Sequence, residues 1–122
     1  MRAPFDLDNF HRLYRVKKRE SGNSAAAVRI TLKPVAAKTV RVLTHVAAES
    51  QGFDFTKIRL GIKNRGEDYY LDELQTVVAD ELCVSRSDIL LGEGDAFFVE
   101  FTGTNDNALL LMTCNGWEQK LP

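Results

Sequence analysis

The sequence contains few of the residues from which metal sites and disulfide frameworks are built. Its 122 residues include two histidines and two cysteines. His11 and His45 stand alone, without the cysteine or carboxylate spacing that a zinc site requires. Cys83 and Cys114 are too few for a disulfide framework, and free buried thiols are typical of proteins made in a reducing cytosol. We therefore expect a protein with no metal site, no cofactor and no structural disulfide.

Long apolar runs are also missing. The longest, ALLLM at residues 108–112, is far short of the roughly 18 residues that a membrane span needs. Residues 1–20 have no apolar segment of the kind found in secretory signals. With 44% hydrophobic and 27% charged residues, the composition is that of a soluble globular protein with one domain. We expect synthesis in the cytoplasm and no contact with a membrane.

No set of residues indicates catalysis. Ser85 and Ser87 lie in VSRSD, which lacks the G-x-S-x-G pattern of a nucleophile, and two histidines provide few possible bases. Paired carboxylates occur in polar, loop-like stretches, where solvated charge is the simpler interpretation. These pairs are Asp72/Glu73, Asp80/Glu81 and Glu93/Asp95. The sequence predicts no enzyme and no catalytic residue.

A calcium site is the one metal alternative that the sequence leaves open. Asn105, Asp106 and Asn107 carry the oxygen ligands that calcium prefers, and Glu93 and Asp95 form a second such group. However, Asn, Asp and Gly are also the residues that turns require. We favour turns at both places.

Charge is distributed very unevenly along the chain. Residues 1–65 contain fourteen Lys and Arg against five Asp and Glu, whereas residues 66–122 contain two against twelve. The basic cluster around Tyr14, in HRLYRVKKRE, suggests a nucleic-acid contact. A net charge of −1 and the absence of a binding motif disfavour that hypothesis. The alternative is that the basic strand faces meet acidic surface within the subunit or between subunits.

Alternation with a period of two dominates the sequence and predicts strands. AVRITLK, TVRVLTHV and KIRLGIK each place apolar residues on one face and basic residues on the other. In ALLLM both faces are apolar, which is typical of a central strand. The predicted core residues are Val28, Ile30, Val40, Val42, Ile58, Leu60, Ile62, Phe97, Val99, Phe101, Leu109 and Leu111.

Turn residues separate these runs at short intervals. NRGED (64–68) has the residues of a tight hairpin, and TGTNDN is expected to join the last two strands in a second hairpin, with Trp117 capping the core. Residues 71–84 have some helical spacing but also alternate, and strand or irregular chain is favoured over a helix. About eight strands at this spacing predict an all-β fold, an antiparallel β-sandwich similar to a jelly roll.

Residues 1–12 differ from the rest of the chain. They do not alternate like the strands, and they contain three separated apolar residues, Phe5, Leu7 and Phe10. We interpret residues 1–12 as an N-terminal arm that docks either on its own domain or on a neighbouring subunit, and residues 13–122 as the β-sandwich domain.

The second half of the chain resembles small β-sandwich (jelly-roll) accessory proteins of tailed-bacteriophage virions. LGEGD, FFVEFTGT and ALLLMTCNGW match their recurring pattern, which ends in a glycine followed by an aromatic residue, here Gly116 and Trp117. The hairpin IRLGIKNRGEDYYL, upstream of these elements, is similar to the central hairpin of the same group. The resemblance covers residues 56–117, about half of the chain, and includes no catalytic residue.

This resemblance implies a capsid cement or decoration protein. Such a protein would sit on the capsid exterior as a symmetric oligomer and bridge major capsid proteins. A tail or fibre-attachment domain and a carbohydrate-binding sandwich are the alternatives, the latter using Tyr69, Tyr70 and Phe98. The residues expected to bind partners are Phe5, Leu7, Phe10, Arg12, Arg15, Arg29, Arg41 and Arg59.

Overall fold

The computed structural model describes residues 11–121, which form nine β-strands and no helix. The strands are β1 His11–Ser21, β2 Val28–Thr31, β3 Thr39–Gln51, β4 Phe55–Asn64, β5 Glu67–Val77, β6 Cys83–Val84, β7 Ile89–Leu91, β8 Ala96–Thr102 and β9 Leu109–Lys120. The predicted arm lies outside the described residues except for its last two, which begin β1.

The strands form two antiparallel sheets that pack against each other. Sheet A has the order β1-β9-β3, with β6 and β7 pairing with separate parts of β3, and sheet B has the order β2-β8-β4-β5. Counted together, β6 and β7 fill one strand position, so that each sheet has four. This is an eight-position sandwich with jelly-roll strand order, and the predicted all-β fold class is confirmed.

Most connections cross from one sheet to the other. The exception within sheet B is the β4–β5 hairpin, in which Arg65 and Gly66 both have positive φ, at 52° and 80°. Two such residues define a type I′ turn, which closes the tight hairpin that the NRGED stretch predicts. The segment TGTNDN, by contrast, links β8 in sheet B to β9 in sheet A. The predicted C-terminal hairpin is therefore wrong, since the two strands do not pair.

The core lies between the inward faces of the two sheets. Phe97, Val99 and Phe101 on β8 are fully buried there, and β4 contributes Ile58 and Leu60. Val28 and Ile62 are partly buried against this core, and Ile30 lies within it. The inward faces of β2, β4 and β8 are therefore the ones that the alternation predicted. The stretch from residue 71 to residue 84 is strand β5, a turn and β6, which confirms the choice of strand or irregular chain over a helix.

In the first half of strand β3, the residues that face the core are not the predicted ones. A bulge at Thr44 interrupts its pairing with β9 between Leu43 and His45. The bulge adds one residue and so changes which positions face the core. As a result Arg41 and Leu43 point inward, whereas Val40 and Val42 point outward. Val40 and Val42 were predicted to face the core and instead lie on the outward face, where Val40 is half-buried and Val42 is still buried, at 8% exposed.

In strand β9, the inward-facing residues also differ by one position from the predicted ones. Leu110, Met112 and Cys114 are fully buried in the core, so Leu109 and Leu111 lie on the outward face of sheet A. Leu111 is nevertheless buried there, at 8% exposed, as the prediction of a core residue requires. Trp117 shares that outward face and does not cap the core. Because both faces of ALLLM are apolar, the local pattern did not distinguish them.

Candidate interaction surfaces

A cluster of charges at one end of sheet A holds two of the predicted binding residues. Arg12, Glu118 and Arg41 are aligned across β1, β9 and β3. Arg41 Nε donates to Glu118 Oε2 over 2.9 Å, and Arg12 Nε donates to Glu118 Oε1 over 3.0 Å. Arg41 also donates to the carbonyl of Lys33. Arg41 is buried, so the structure assigns this side chain to the interior rather than to an exposed basic face.

Tyr14 packs over the same cluster from β1. The guanidinium carbon of Arg41 lies 4.1 Å from the centre of the Tyr14 ring, a cation–π contact. Burial raises the pKa of the Tyr14 hydroxyl above its usual value. Tyr14 is therefore part of the packing, and its ring is already occupied by Arg41.

A second network covers the outward face of sheet B around Arg29. Its guanidinium binds Asp68 through two nitrogens, each at 3.1 Å, and donates to Glu100 over 2.6 Å. Burial disfavours the charged form, but the hydrogen bonds to Asp68 and Glu100 outweigh it and raise the pKa of Arg29. Hydrogen bonding by Arg29 lowers the pKa of Asp68. Arg29 is thus held by carboxylates of its own chain.

Aromatic rings complete this network. Phe98 points outward yet is 0% exposed, because the Arg29 guanidinium lies 3.8 Å from its ring centre and the Tyr70 ring meets it at 89°. Gly61 makes room for Phe98, since an added Cβ there would lie 2.5 Å from Phe98 Cζ. Arg59 lies over Tyr70 and forms a 2.6 Å ion pair with Glu73. Phe98 is therefore not available to stack on a sugar, contrary to the sequence-based expectation.

These contacts explain much of the charge asymmetry. Each joins a base from the first half of the chain to an acid from the second half: Arg12–Glu118, Arg41–Glu118, Arg29–Asp68, Arg29–Glu100 and Arg59–Glu73. Opposite charges placed on neighbouring strands favour the observed register. The alternative that the basic faces meet acidic residues within the subunit accounts for Arg29, Arg41 and Arg59.

The outward face of sheet A has a different character. Leu13, Trp117, Val42 and Leu90 are aligned in register across β1, β9, β3 and β7, and we call this set the apolar row. Leu13 is 65% exposed and Leu90 is 69% exposed. Between these two exposed ends, Trp117 is half-buried and Val42 is buried, at 8% exposed. Exposed apolar side chains that share one surface are typical of interaction sites. The apolar row is therefore the leading candidate for a binding surface.

Basic side chains flank the apolar row on β1. Arg15, Lys17 and Arg19 alternate with inward-facing residues, are exposed, and lie on the same face as Leu13. Arg15 Nε donates to Asn115 of β9 over 3.0 Å. Among the described outward-facing residues of β1, β9 and β3, Glu49 is the only acid. This face combines apolar surface with positive charge, and Arg15 is the predicted binding residue placed there.

A small cleft opens along the side of the sandwich between β5 and the β6–β7 segment. It has a volume of about 140 Å³ and is lined by Leu60, Leu71, Asp72, Arg86 and Ile89 among others. Arg86 and Asp72 face each other at 3.5 Å across its mouth. A cleft of this size is well below the roughly 300 Å³ of typical ligand pockets.

In the two turns that could have supplied calcium ligands, several side-chain oxygens accept hydrogen bonds from other residues of the chain. Asp106 accepts a 2.7 Å hydrogen bond from the backbone N–H of Ser24, and Asn105 accepts one from Asn107. Asp95 accepts hydrogen bonds from the Asn64 side chain and from the Gly92 N–H, so both of its carboxylate oxygens are used within the chain. Within residues 11–121 no group of three or more His, Cys, Asp or Glu side chains is arranged to hold a metal ion.

Sequence reasoning missed the apolar row because its members are distant in the chain. One local signal was present: stepping by two from Leu111 leads to Trp117 on the face opposite Met112. The predicted arm residues Phe5, Leu7 and Phe10 lie outside the described residues. None of the described residues forms a helix that could cross a membrane.

Comparison with known proteins adds no family to these observations. No protein-family model matches the chain, and no curated protein matches its sequence.

Proposed function

We propose that this chain is a structural virion protein that binds the capsid exterior of a tailed phage as a cement or decoration protein. The observation that carries the proposal is the outward face of sheet A, where the apolar row lies beside three exposed basic residues of β1. The jelly-roll strand order and the resemblance of residues 56–117 to phage accessory proteins support the same assignment.

The energetics of such a surface suit reversible capture by a protein partner. Fully burying a leucine contributes roughly 1.5–3 kcal/mol, so covering Leu13 and Leu90 favours association substantially. Arg15, Lys17 and Arg19 attract an acidic partner and fix its orientation. We expect the partner to be acidic surface on major capsid proteins, contacted by several copies of this chain in a symmetric oligomer.

Stabilisation of the shell follows by mass action. A protein that binds the assembled shell but not its dissociated subunits shifts the equilibrium toward the shell. Because exposed charges are screened within roughly 8–10 Å at physiological salt, capture should weaken as salt rises. The chain needs no chemistry of its own to perform this role.

The proposal is tested with phage shells that lack this chain. Full-length protein is added, the shells are pelleted, and copies per shell are counted; a cement protein should be present in hundreds of copies. Lys17→Glu/Arg19→Glu should bind at least tenfold more weakly. The matched control reverses two exposed charges elsewhere, Lys63→Glu/Arg65→Glu in the β4–β5 hairpin, and should bind like the parent chain.

Other outcomes identify the alternatives. A dozen or fewer copies located at the tail would replace the capsid role by tail or fibre attachment. Absence of the chain from virions, together with binding to a glycan array, would favour the carbohydrate-binding alternative. The structure offers that alternative less than the sequence suggested, because Phe98 is buried and Tyr70 is packed between Phe98 and Arg59.

A further inference from the structure

Two opposite edges of the sandwich differ in charge. Sheet A ends in β1 at one edge and in the β6–β7 segment at the other, and the small cleft lies between that segment and β5, the last strand of sheet B. We call the edge at β1 the basic side. We call the edge formed by residues 67–90, which run from the start of β5 into β7, the acidic side. The two sides therefore face away from each other on one sandwich.

The acidic side keeps an excess of negative charge after its own ion pairs are counted. Residues 67–90 contain seven Asp and Glu and one base, Arg86. The acids that pair with arginines of the same chain are Asp68, Asp72 and Glu73. The exposed acids that form no ion pair within residues 11–121 are Glu67, Asp80, Glu81 and Asp88. This side therefore presents four unpaired negative charges and no unpaired base.

The basic side has the opposite excess. β1 contains five bases and one acid, Glu20. Arg12 is paired with Glu118, and Lys18 donates a hydrogen bond to the carbonyl of Thr31. The exposed bases of β1 that form no ion pair with another described residue are Arg15, Lys17 and Arg19. Each side therefore repels a copy of itself and attracts the other side.

Exposed apolar side chains gather on the acidic side. Ten large apolar side chains are exposed among the described residues, and eight of them lie between Tyr69 and Leu90. Together they present on the order of several hundred Å² of apolar surface, the size that marks an interaction site. The small cleft adjoins a second one of about 100 Å³, and the two share Leu60, Asp72 and Arg86. Clefts of this size accept the side chains of a protein partner better than a separate ligand.

We propose that the acidic side of one copy is occupied by the basic side of a second copy. The inference deepens the proposed function, on which it rests for the symmetric oligomer, by naming the contact between copies. Two acidic sides or two basic sides would bring like charges together, which disfavours both of those contacts. A contact between two different surfaces is heterologous, and it closes into a ring if the rotation between copies permits.

The lengths of the edge strands support the same contact. β1 and β5 each have 11 residues, whereas β2, β6 and β7 have four, two and three. Short edges avoid pairing with other chains, and long edges leave backbone groups open to it. Side chains stand roughly perpendicular to a sheet, so Lys17 and Arg19 still border the outward face of sheet A when the β1 edge is covered. The proposed shell contact and the contact between copies are therefore compatible.

Sedimentation velocity of the full chain tests this inference without shells. Glu67→Lys/Asp88→Lys removes the charge excess of the acidic side, and Lys17→Glu/Arg19→Glu removes that of the basic side. We expect the parent chain to associate, and to do so more weakly as salt rises. Each variant alone should associate at least tenfold more weakly than the parent.

Mixing the two variants distinguishes a contact between different sides from a contact between like sides. Each variant keeps one side intact, and the intact sides are opposite. An equimolar mixture should therefore form a heterodimer, at least tenfold more tightly than either variant associates alone. It should stop at two copies, because the two remaining sides are both altered. A contact between like sides would give no such heterodimer.

Controls alter charge away from both sides. Lys33→Glu and Glu49→Lys should associate like the parent, and unchanged circular dichroism spectra check the folding of every variant. A parent chain that stays monomeric, variants that associate like the parent, or a mixture without heterodimer would each overturn the proposal. Glu67→Lys/Asp88→Lys keeps the basic side, so its shell binding tests the proposed function separately. A monomer that binds shells refutes only the present inference, and an oligomer that binds none refutes only the shell role.

Discussion

Glu118 on β9 accepts a 2.9 Å hydrogen bond from Arg41 on β3 inside the sandwich. Both side chains are buried, and Arg12 on β1 binds the second carboxylate oxygen from the other side. One acid therefore links three neighbouring strands of sheet A. Removing one member of a buried ion pair leaves an uncompensated charge, which costs more than the pair itself contributes.

We expect Glu118→Gln to lower the free energy of unfolding by about 3–5 kcal/mol, because the charge of Arg41 would remain buried without its partner. Arg12→Met removes the exposed partner of the same carboxylate and should cost at most about 1 kcal/mol. Guanidinium denaturation measures both. The double variant Arg41→Met/Glu118→Leu should recover part of the loss, and a loss as large as that of Glu118→Gln would contradict the role given to the buried charge.

Neighbouring leucines on β9 provide a test of which face is inside. Leu110 is fully buried in the core, and Leu109 lies half-buried on the outward face. Leu110→Ala should cost about 2–5 kcal/mol, because it leaves a cavity. Leu109→Ala should cost clearly less, about 1 kcal/mol. Equal losses in thermal or chemical denaturation would show that the register of β9 is assigned wrongly.

Gly61→Ala should destabilise the protein by about 1–3 kcal/mol, since the added methyl group would meet both the Phe98 ring and the carbonyl of Tyr69. Gly92→Ala is the matched control, because the nearest atom to its added Cβ is 3.8 Å away. We expect this control to stay within about 0.5 kcal/mol of the parent. A Gly61→Ala protein as stable as the control would mean that Phe98 can leave its position without cost.

Both thiols should make the protein less stable at alkaline pH. Burial raises the pKa of Cys83 to about 11 and that of Cys114 to about 12. An unfolded thiol ionises near pH 8.5, so above that pH the unfolded state loses protons that the folded state retains. The free energy of unfolding should then fall by at most about 1.4 kcal/mol per pH unit for each thiol up to the folded pKa. For Cys83→Ser/Cys114→Val, the free energy of unfolding measured by urea titration should fall less steeply between pH 9 and pH 11. An unchanged dependence on pH would exclude the thiols as the cause of the fall.

Dialysis against EDTA should leave the melting temperature unchanged. Two side-chain oxygens of the Asn105–Asp106–Asn107 turn already accept backbone hydrogen bonds: Asp106 accepts from Ser24, and Asn105 accepts from Asn107. Calorimetry before and after dialysis measures the effect. A clear drop that calcium restores would identify this turn as a ligand site.

Several features of the fold follow from local sequence. Alternation in AFFVEFT correctly placed Phe97, Val99 and Phe101 in the core, because side chains on a strand alternate between its faces. The NRGED stretch correctly predicted the β4–β5 hairpin, since its turn needs residues with positive φ and glycine adopts this conformation readily. The sequence also predicted a sandwich without helices, and the described residues confirm it.

Tertiary structure alone decided which strands pair and which faces meet. The bulge at Thr44 reversed the faces of β3, and nothing in TVRVLTHV indicates it, because a bulge depends on the partner strand. Arg41 is buried because pairing places it beside Glu118, which is distant in the sequence. The apolar row likewise exists only because Leu13, Val42, Leu90 and Trp117 are brought into register by four strands. Local periodicity determines which residues share one face of a strand. The neighbouring strands determine whether that face packs in the core, forms ion pairs or is exposed.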